Sequence, residues 1–168
     1  MVNVYFAADL HLGHKGILKF GQRAWATEML EHDLGIMERW NNTVKKMTDI
    51  VWVLGDVAFT KEAMELLRAF NGEKRLIMGN HDTFPIEEYQ KYFTKIYAVQ
   101  NKYHGMVMTH VPVHPSELGT YRGWQWNVHG HIHHPEKDIQ DPKYINVNYD
   151  VRDCFPVNLE QVREEIKG

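Results

Sequence analysis

The stretch Leu76-Ile77-Met78-Gly79-Asn80-His81-Asp82 decides how the rest of the chain is read. A short apolar run is the pattern of a buried strand, and here it ends in a glycine suited to a tight turn. The turn then offers an amide, an imidazole and a carboxylate. An amide oxygen is a hard ligand for a metal ion, and an imidazole beside a carboxylate can be oriented as an acid or base. Alone, such a polar turn is common, and His81 could be a surface residue. The same strand-then-donor pattern, however, recurs along the chain.

Upstream, residues 2–8 read as a central strand that delivers Asp9-Leu10-His11. Alternation with period two lets Asp9 and His11 face the same way and share one ion. Ile50–Leu54 is a second buried strand, ending in Gly55-Asp56. Between the two, Leu30, Leu34, Met37 and Val44 keep helical spacing, which predicts a helix packed on a sheet with His32 facing solvent. Thr60 is placed to cap a second helix carrying Met64, Leu67 and Phe70, with Asn71-Gly72 as its stop. Strand, helix, strand, helix, strand is the α/β crossover pattern, and such sheets bind ligands at the carboxyl ends of their strands.

Downstream, residues 86–93 read as a short helix, and residues 95–99 and 106–109 as paired strands, the second leading to His110. Residues 112–124 form a loop rich in proline, glycine and aromatics. Residues 125–128 are a strand ending in His129-Gly130-His131-Ile132-His133-His134, and residues 144–148 are another. Asn158 with Gln161 resembles a capping box that opens a helix over 159–166. This strand-rich half predicts a second sheet packed on the first.

Composition narrows the function classes. A chain of 168 residues suits one domain spanning 1–168 with a sizeable core. Apolar residues make up 43% and charged residues 24%, an ordinary globular balance. The net charge of −3 gives no general electrostatic reason to expect strong binding of duplex nucleic acid. Cys154 is the one cysteine, which excludes an intramolecular disulfide and a thiolate metal cluster. The first residues lack the pattern of a secretion signal, and no apolar run reaches membrane-spanning length, so a cytoplasmic protein with no membrane partner is expected. The unusual count is eleven histidines.

Together the strand ends supply Asp9 and His11, Asp56, Asn80 with His81 and Asp82, His110, and His131 with His133. Each can be explained singly as a cap or a surface residue; five together on one edge cannot easily be. Oxygen and imidazole donors without thiolate suit two divalent transition-metal ions, with manganese favoured and Fe, Co, Ni or Zn also suited, and they suit calcium poorly.

In order and spacing, Asp9-Leu10-His11, Gly55-Asp56, Gly79-Asn80-His81-Asp82, His110 and Gly130-His131-Ile132-His133 resemble the signature of the calcineurin-like metallophosphoesterases. The resemblance spans residues 9–133 and is nearest to the small single-domain enzymes of bacteria and phages, whose early segment reads like Gly13-His14 followed by an aromatic and an arginine such as Phe20 and Arg23. It implies an α/β fold, a four-layer α/β/β/α sandwich of two mixed sheets flanked by helices. It also implies a first ion on Asp9, His11, Asp56 and His133, a second on Asp56, Asn80, His110 and His131, and Asp56 as the bridge. His81 is then a general acid outside the ligand set, and Asp82 orients it. Thr109 departs from the pattern, since many relatives carry a smaller residue there.

The charges agree. Two divalent ions bring four positive charges; Asp9, Asp56 and a hydroxide remove three, leaving an attraction for a phosphate oxygen. The expected reaction is hydrolysis of a phosphomonoester or phosphodiester, on a small phosphoester or nucleotide-like substrate, by attack of a metal-activated hydroxide. A metal-dependent nuclease or cyclic-nucleotide phosphodiesterase, and a non-catalytic metal-binding interaction module on the same fold, are the competing functions. His14, Arg23 and Arg122 are candidate substrate contacts; a solvated side chain or structural ion pair is the competing role for both arginines, and a surface position for His14. His134 shares that choice, His129 reads as packed, and His104 and His114 as surface residues. Residues 14–23 and 112–124 are expected to form the substrate rim.

Overall fold

The computed structural model describes residues 1–19, 23–119 and 123–167. Phe20, Tyr121 and Arg122 lie outside the described residues. In chain order the elements are β1 (Val4–Ala7), α1 (Met29–Thr43), β2 (Ile50–Leu54), α2 (Lys61–Glu65), β3 (Glu73–Ile77), α3 (Ile86–Tyr89), β4 (Lys95–Tyr97), β5 (Gln100–Lys102), β6 (Met106–Met108), β7 (Trp126–His129), β8 (Tyr144–Asn146), β9 (Val157–Asn158) and α4 (Leu159–Lys167). Among the described residues no helix is long and apolar enough to cross a membrane.

The fold is α/β with two mixed sheets. The first runs β4-β3-β2-β1-β9 and the second β5-β6-β7-β8. β1 to β4 are mutually parallel and β9 is antiparallel; β6, β7 and β8 are parallel and β5 is antiparallel. Parallel register places Ala7 beside Val53 and Leu54 beside Ile77, so the carboxyl ends of β1, β2 and β3 open on one edge. β6 and β7 do the same in the second sheet, with Met108 beside Val128.

Alternating side chains build two cores from the first sheet. Phe6, Trp52, Leu54 and Ile77 meet Met106, Met108, Val128 and Ile145 of the second sheet. Tyr5, Ala7, Val51, Val53 and Leu76 face the other way, onto Ile36 and Trp40 of α1 and Met64 of α2. Thr60 Oγ1 caps α2 by accepting the Ala63 N–H at 3.1 Å, and at α4 Gln161 accepts the Asn158 N–H at 2.8 Å.

Three expectations are corrected. Residues 95–97 pair in parallel with β3, and the hairpin partner of β6 is Gln100–Lys102, because an apolar run identifies a strand but not its neighbour. α1 buries His32, Asp33, Ile36 and Trp40 while Leu30 is 66% exposed, so His32 faces inward; its ring stacks on Trp25 and bonds Asp33. The outer face of the second sheet, where a helical layer was expected, carries Val107 and Tyr144 packed against Val113, Leu118, Trp124 and Ile139 from loops.

Candidate metal centre

Four donor residues leave their strands in the left-handed region: Asp9 (φ 59°), His11 (53°), Asp56 (54°) and His131 (69°). Non-glycine residues are uncommon there, and Asp and His are among those enriched. Each such residue costs on the order of 1–3 kcal/mol, so the surrounding bonds must hold it. They do: the Asp9 N–H donates to Gly55 O at 3.0 Å and the His11 N–H to Asp56 O at 3.1 Å. The sharp turns fold side chains from separate strands back over one point.

Each carboxylate uses one oxygen to hold backbone and turns the other inward. Asp9 Oδ2 accepts the His131 N–H at 2.9 Å, while Asp9 Oδ1 lies 3.7 Å from His11 Nε2 and 3.4 Å from His133 Nε2. Asp56 Oδ1 accepts the His81 N–H at 2.9 Å, while Asp56 Oδ2 lies 3.7 Å from His11 Nε2 and 3.4 Å from His110 Nε2. Asn80 Oδ1 is 2.8 Å and His131 Nδ1 3.2 Å from that same His110 nitrogen. His110 Nδ1–H donates to Leu54 O at 2.8 Å, which turns Nε2 inward as the remaining donor atom. Three glycines allow this close approach: a Cβ on Gly79 would strike Asp56, one on Gly130 would strike Asp9, and one on Gly55 would sit 2.5 Å from His110 Nδ1.

The residues fit divalent ions on their own geometry. Asp9, His11 and His133 present donor atoms within 4.8 Å of one another, as do Asp9, Asp56 and His110. Asp9 Oδ1 and His11 Nε2 are buried without a hydrogen-bond partner, although buried polar atoms are normally paired. In the metal-free chain protons answer the same charge. Burial opposes a charged His133, but its bond to Asp150 and the nearby charge of Asp9 push it up to about 9. Burial likewise opposes a charged His110, yet Asp56 and Asp9 hold it at about 8. Burial raises Asp9, but His11 and His133 outweigh it and keep the carboxyl well below its usual range.

The structure thus gathers Asp9, His11, Asp56, Asn80, His110, His131 and His133 into one centre. His81 stands at its exposed rim, its ring 6.1 Å from that of His11 and 5.2 Å from that of Phe59. His14 stacks on Phe59 with ring centroids 4.1 Å apart and lines a cleft of about 450 Å³ with Ile17, Ile132, His134 and Lys137. No described residue of 112–124 lines that cleft; Ile132, His133, His134 and Lys137, from the segment after His131, do. Thr109 is absorbed into the scaffold, donating to Val111 O and accepting from Asn127. His129 is buried and bonds Gly130 O.

Two assignments change. Arg23 is fully buried, with its guanidinium committed to Asp150 and to the carbonyls of Asp9 and Leu10, so it cannot reach a substrate phosphate. Asp82 accepts the N–H groups of Asp56, Val57 and Gly79 at 2.8–2.9 Å; it clasps the turns and does not orient the His81 ring. Burial pushes its carboxyl up, against the pull of those donors. Sequence reasoning missed Phe59, the aromatic floor under three histidines, and Asp150, whose Oδ2 lies 2.5 Å from His133 Nδ1. Asp150 sits in no motif, so only the folded chain exposes its place.

No family model matches the sequence. An uncharacterized protein of Methanocaldococcus jannaschii, MJ1445, is 31% identical over 169 residues, covering 96% of this chain and 90% of that one. The Aquifex aeolicus protein of unknown function AQ665 has a similar structure, with a TM-score of 0.74 at 22% identity over 98% of this chain and 99% of that one. The Pseudomonas putida nuclease MPE aligns with a TM-score of 0.50 at 17% identity, over 77% of this chain and 61% of that one. At such identities the two structures bear on fold alone.

Proposed function

The chain belongs to one family with its Methanocaldococcus jannaschii relative, and from that premise we propose that this family member is a metal-dependent phosphoesterase of the calcineurin-like kind, with two divalent transition-metal ions, manganese first among them. The relative is itself uncharacterized, so the activity is read from the site. The observation that carries it is the pair of donor groups that meet at Asp9, with two buried donor atoms left unpartnered between them. Asp9, His11, Asp56 and His133 would hold one ion; Asp56, Asn80, His110 and His131 would hold the other. Asp56 Oδ2 stands between His11 and His110, which favours it as the bridge. Two sheets sharing one core, with donors at their strand ends, support the same fold family.

Bound together, such ions polarise a phosphoryl oxygen and supply a water nucleophile at neutral pH. The chain does the rest. Asp9 and Asp56 hold the turns and the ions with different oxygens. Phe59, His14, Ile17 and Ile132 form a largely apolar wall beside the centre, and Lys137 offers a cation at its edge. His81, exposed at the rim, hands a ring proton to the leaving oxygen, a role that typically contributes ~10²–10⁴-fold.

A phosphodiester in a short nucleic acid is the second reading, favoured by the likeness of the fold to a nuclease. The test is turnover of the metal-reconstituted chain on nitrophenyl monoesters, nitrophenyl diesters, cyclic nucleotides and short oligonucleotides. Hydrolysis that requires metal is expected on at least one. Two bound ions without turnover on any would leave the non-catalytic module as the function.

A further inference from the structure

Arg23 and Asp150 are buried charges that the proposed reaction leaves unused. The chain leaves β8, bridges Ala8 at Asn148, and so sets Asp150 beside the end of β1. Asp150 is 3% exposed and Arg23 is fully buried. Arg23 Nε donates to Asp150 Oδ1 at 2.8 Å, and its two terminal nitrogens donate to Leu10 O at 2.7 Å and Asp9 O at 2.5 Å. Asp150 Oδ2 takes His133 Nδ1 at 2.5 Å, and the far ring nitrogen, Nε2, lies 3.4 Å from Asp9 Oδ1. The back of the arginine is also fixed. Its Nη1 lies 3.1 Å from His32 Nε2, His32 Nδ1 bonds Asp33, and Asp33 accepts the Gly13 N–H beside the His11 turn.

One guanidinium therefore grips the backbone of Asp9 and, through one carboxylate, the imidazole of His133. Both belong to the donor group of Asp9, His11 and His133; Asp9 also enters the group with Asp56 and His110, so His133 is the gripped residue peculiar to the first. Among the described residues nothing comparable reaches the other side, where His110 is oriented by the Leu54 carbonyl. We infer that Arg23 and Asp150 are positioning residues for one ion of the pair: Asp150 keeps the proton of His133 on Nδ1, so that Nε2 presents its lone pair to the ion, and Arg23 ties that ring to Asp9. This rests on the two-ion reading above. A carboxylate or carbonyl behind a ligating histidine typically changes metal affinity by ~10–100-fold.

Asp150→Asn is the informative change because it nearly preserves shape and inverts polarity. With its oxygen kept on Arg23 Nε, the amide turns an NH₂ toward His133 Nδ1. That favours the tautomer with the proton on Nε2, which has no lone pair for a metal. The probe is Zn²⁺ alone, titrated calorimetrically into metal-free chains. Wild type is expected to take two ions; Asp150→Asn is expected to bind one as wild type does and the other ~10–100-fold more weakly. Nitrogen-15 spectra of the unmutated, Zn²⁺-loaded chain provide a check independent of how the variant folds: His133 must carry its proton on Nδ1. Wild-type affinity at both sites of the variant, equal weakening of both, or a His133 proton on Nε2 overturns the inference alone. A wild-type chain that takes no second ion overturns the two-ion reading and the inference with it.

Discussion

Raising the pH of the metal-free chain should destabilise it, and His133 is the larger of two contributors, His110 being held up to about 8 as well. The His133 ring titrates at 6.5 when unperturbed and at about 9 in the fold, held up by Asp150 and Asp9 against the opposing effect of burial. The folded chain therefore keeps a proton that the unfolded chain has released. The contribution is fully present below about pH 6.5 and is lost as pH rises through about 9. At about 1.36 kcal/mol per pH unit, the interval from 6.5 to about 9 corresponds to at most about 3 kcal/mol. For a chain of 168 residues, each kcal/mol moves the midpoint by about 2–4 °C, so a fall of about 6–12 °C in Tm is expected. Divalent metal should reverse the trend, because the ion competes with the same proton and binds better as pH rises. The assay is thermal unfolding from pH 6 to 10, with chelator and with saturating Zn²⁺, for wild type and His133→Ala. A flat Tm in chelator, or a decline undiminished in His133→Ala, refutes the reasoning.

Three further changes separate roles within the centre. His81→Ala should keep both ions while turnover drops ~10²–10⁴-fold on alkyl esters and less on nitrophenyl esters, whose leaving group needs no proton; equal losses on both would make His81 a phosphate contact. Asp82→Asn should cost about 1–3 kcal/mol of stability, since an amide cannot accept all three N–H groups that Asp82 now holds, with no dependence on the leaving group. Denaturant midpoints read the first part and paired ester kinetics the second; a leaving-group effect like that of His81→Ala would restore the orienting role. Gly79→Ala touches no donor chemically, yet its Cβ would collide with Asp56, so ion content should fall and stability drop by about 1–3 kcal/mol; full ion content by elemental analysis would show that the turn has slack.

Much of the scaffold was legible because strands announce themselves as apolar runs that end abruptly. Residues 50–54 match β2 to the residue, and the donor after each strand was visible as a polar break. What stayed hidden was whatever depends on partners distant in sequence. An alternating run at 95–97 says strand, but only packing decides that it extends β3 and does not pair with β6. In α1 the periodicity of Leu30 and Leu34 suggested the wrong inward face, because His32 and Asp33 are buried to meet Arg23, which no pattern within a helix reports. The left-handed backbone at Asp9, His11, Asp56 and His131 was equally invisible, since neither residue type requires it. Asp82 was read from its neighbour His81, yet in the fold its partners are three main-chain amides.

The bond between Arg23 and Asp150 spans 127 positions, and the one from His131 to Asp9 spans 122. During synthesis, a chain emerging amino-terminus first exposes Asp9, Arg23 and Asp56 long before the histidines and the carboxylate that complete them. Contacts of such separation form late and slow folding, because a long loop must close before they are gained. The donor group of Asp9, His11 and His133 is thus completed only by the final third of the polypeptide, and a chain stalled before it presents Asp9 and His11 without the imidazole that faces them.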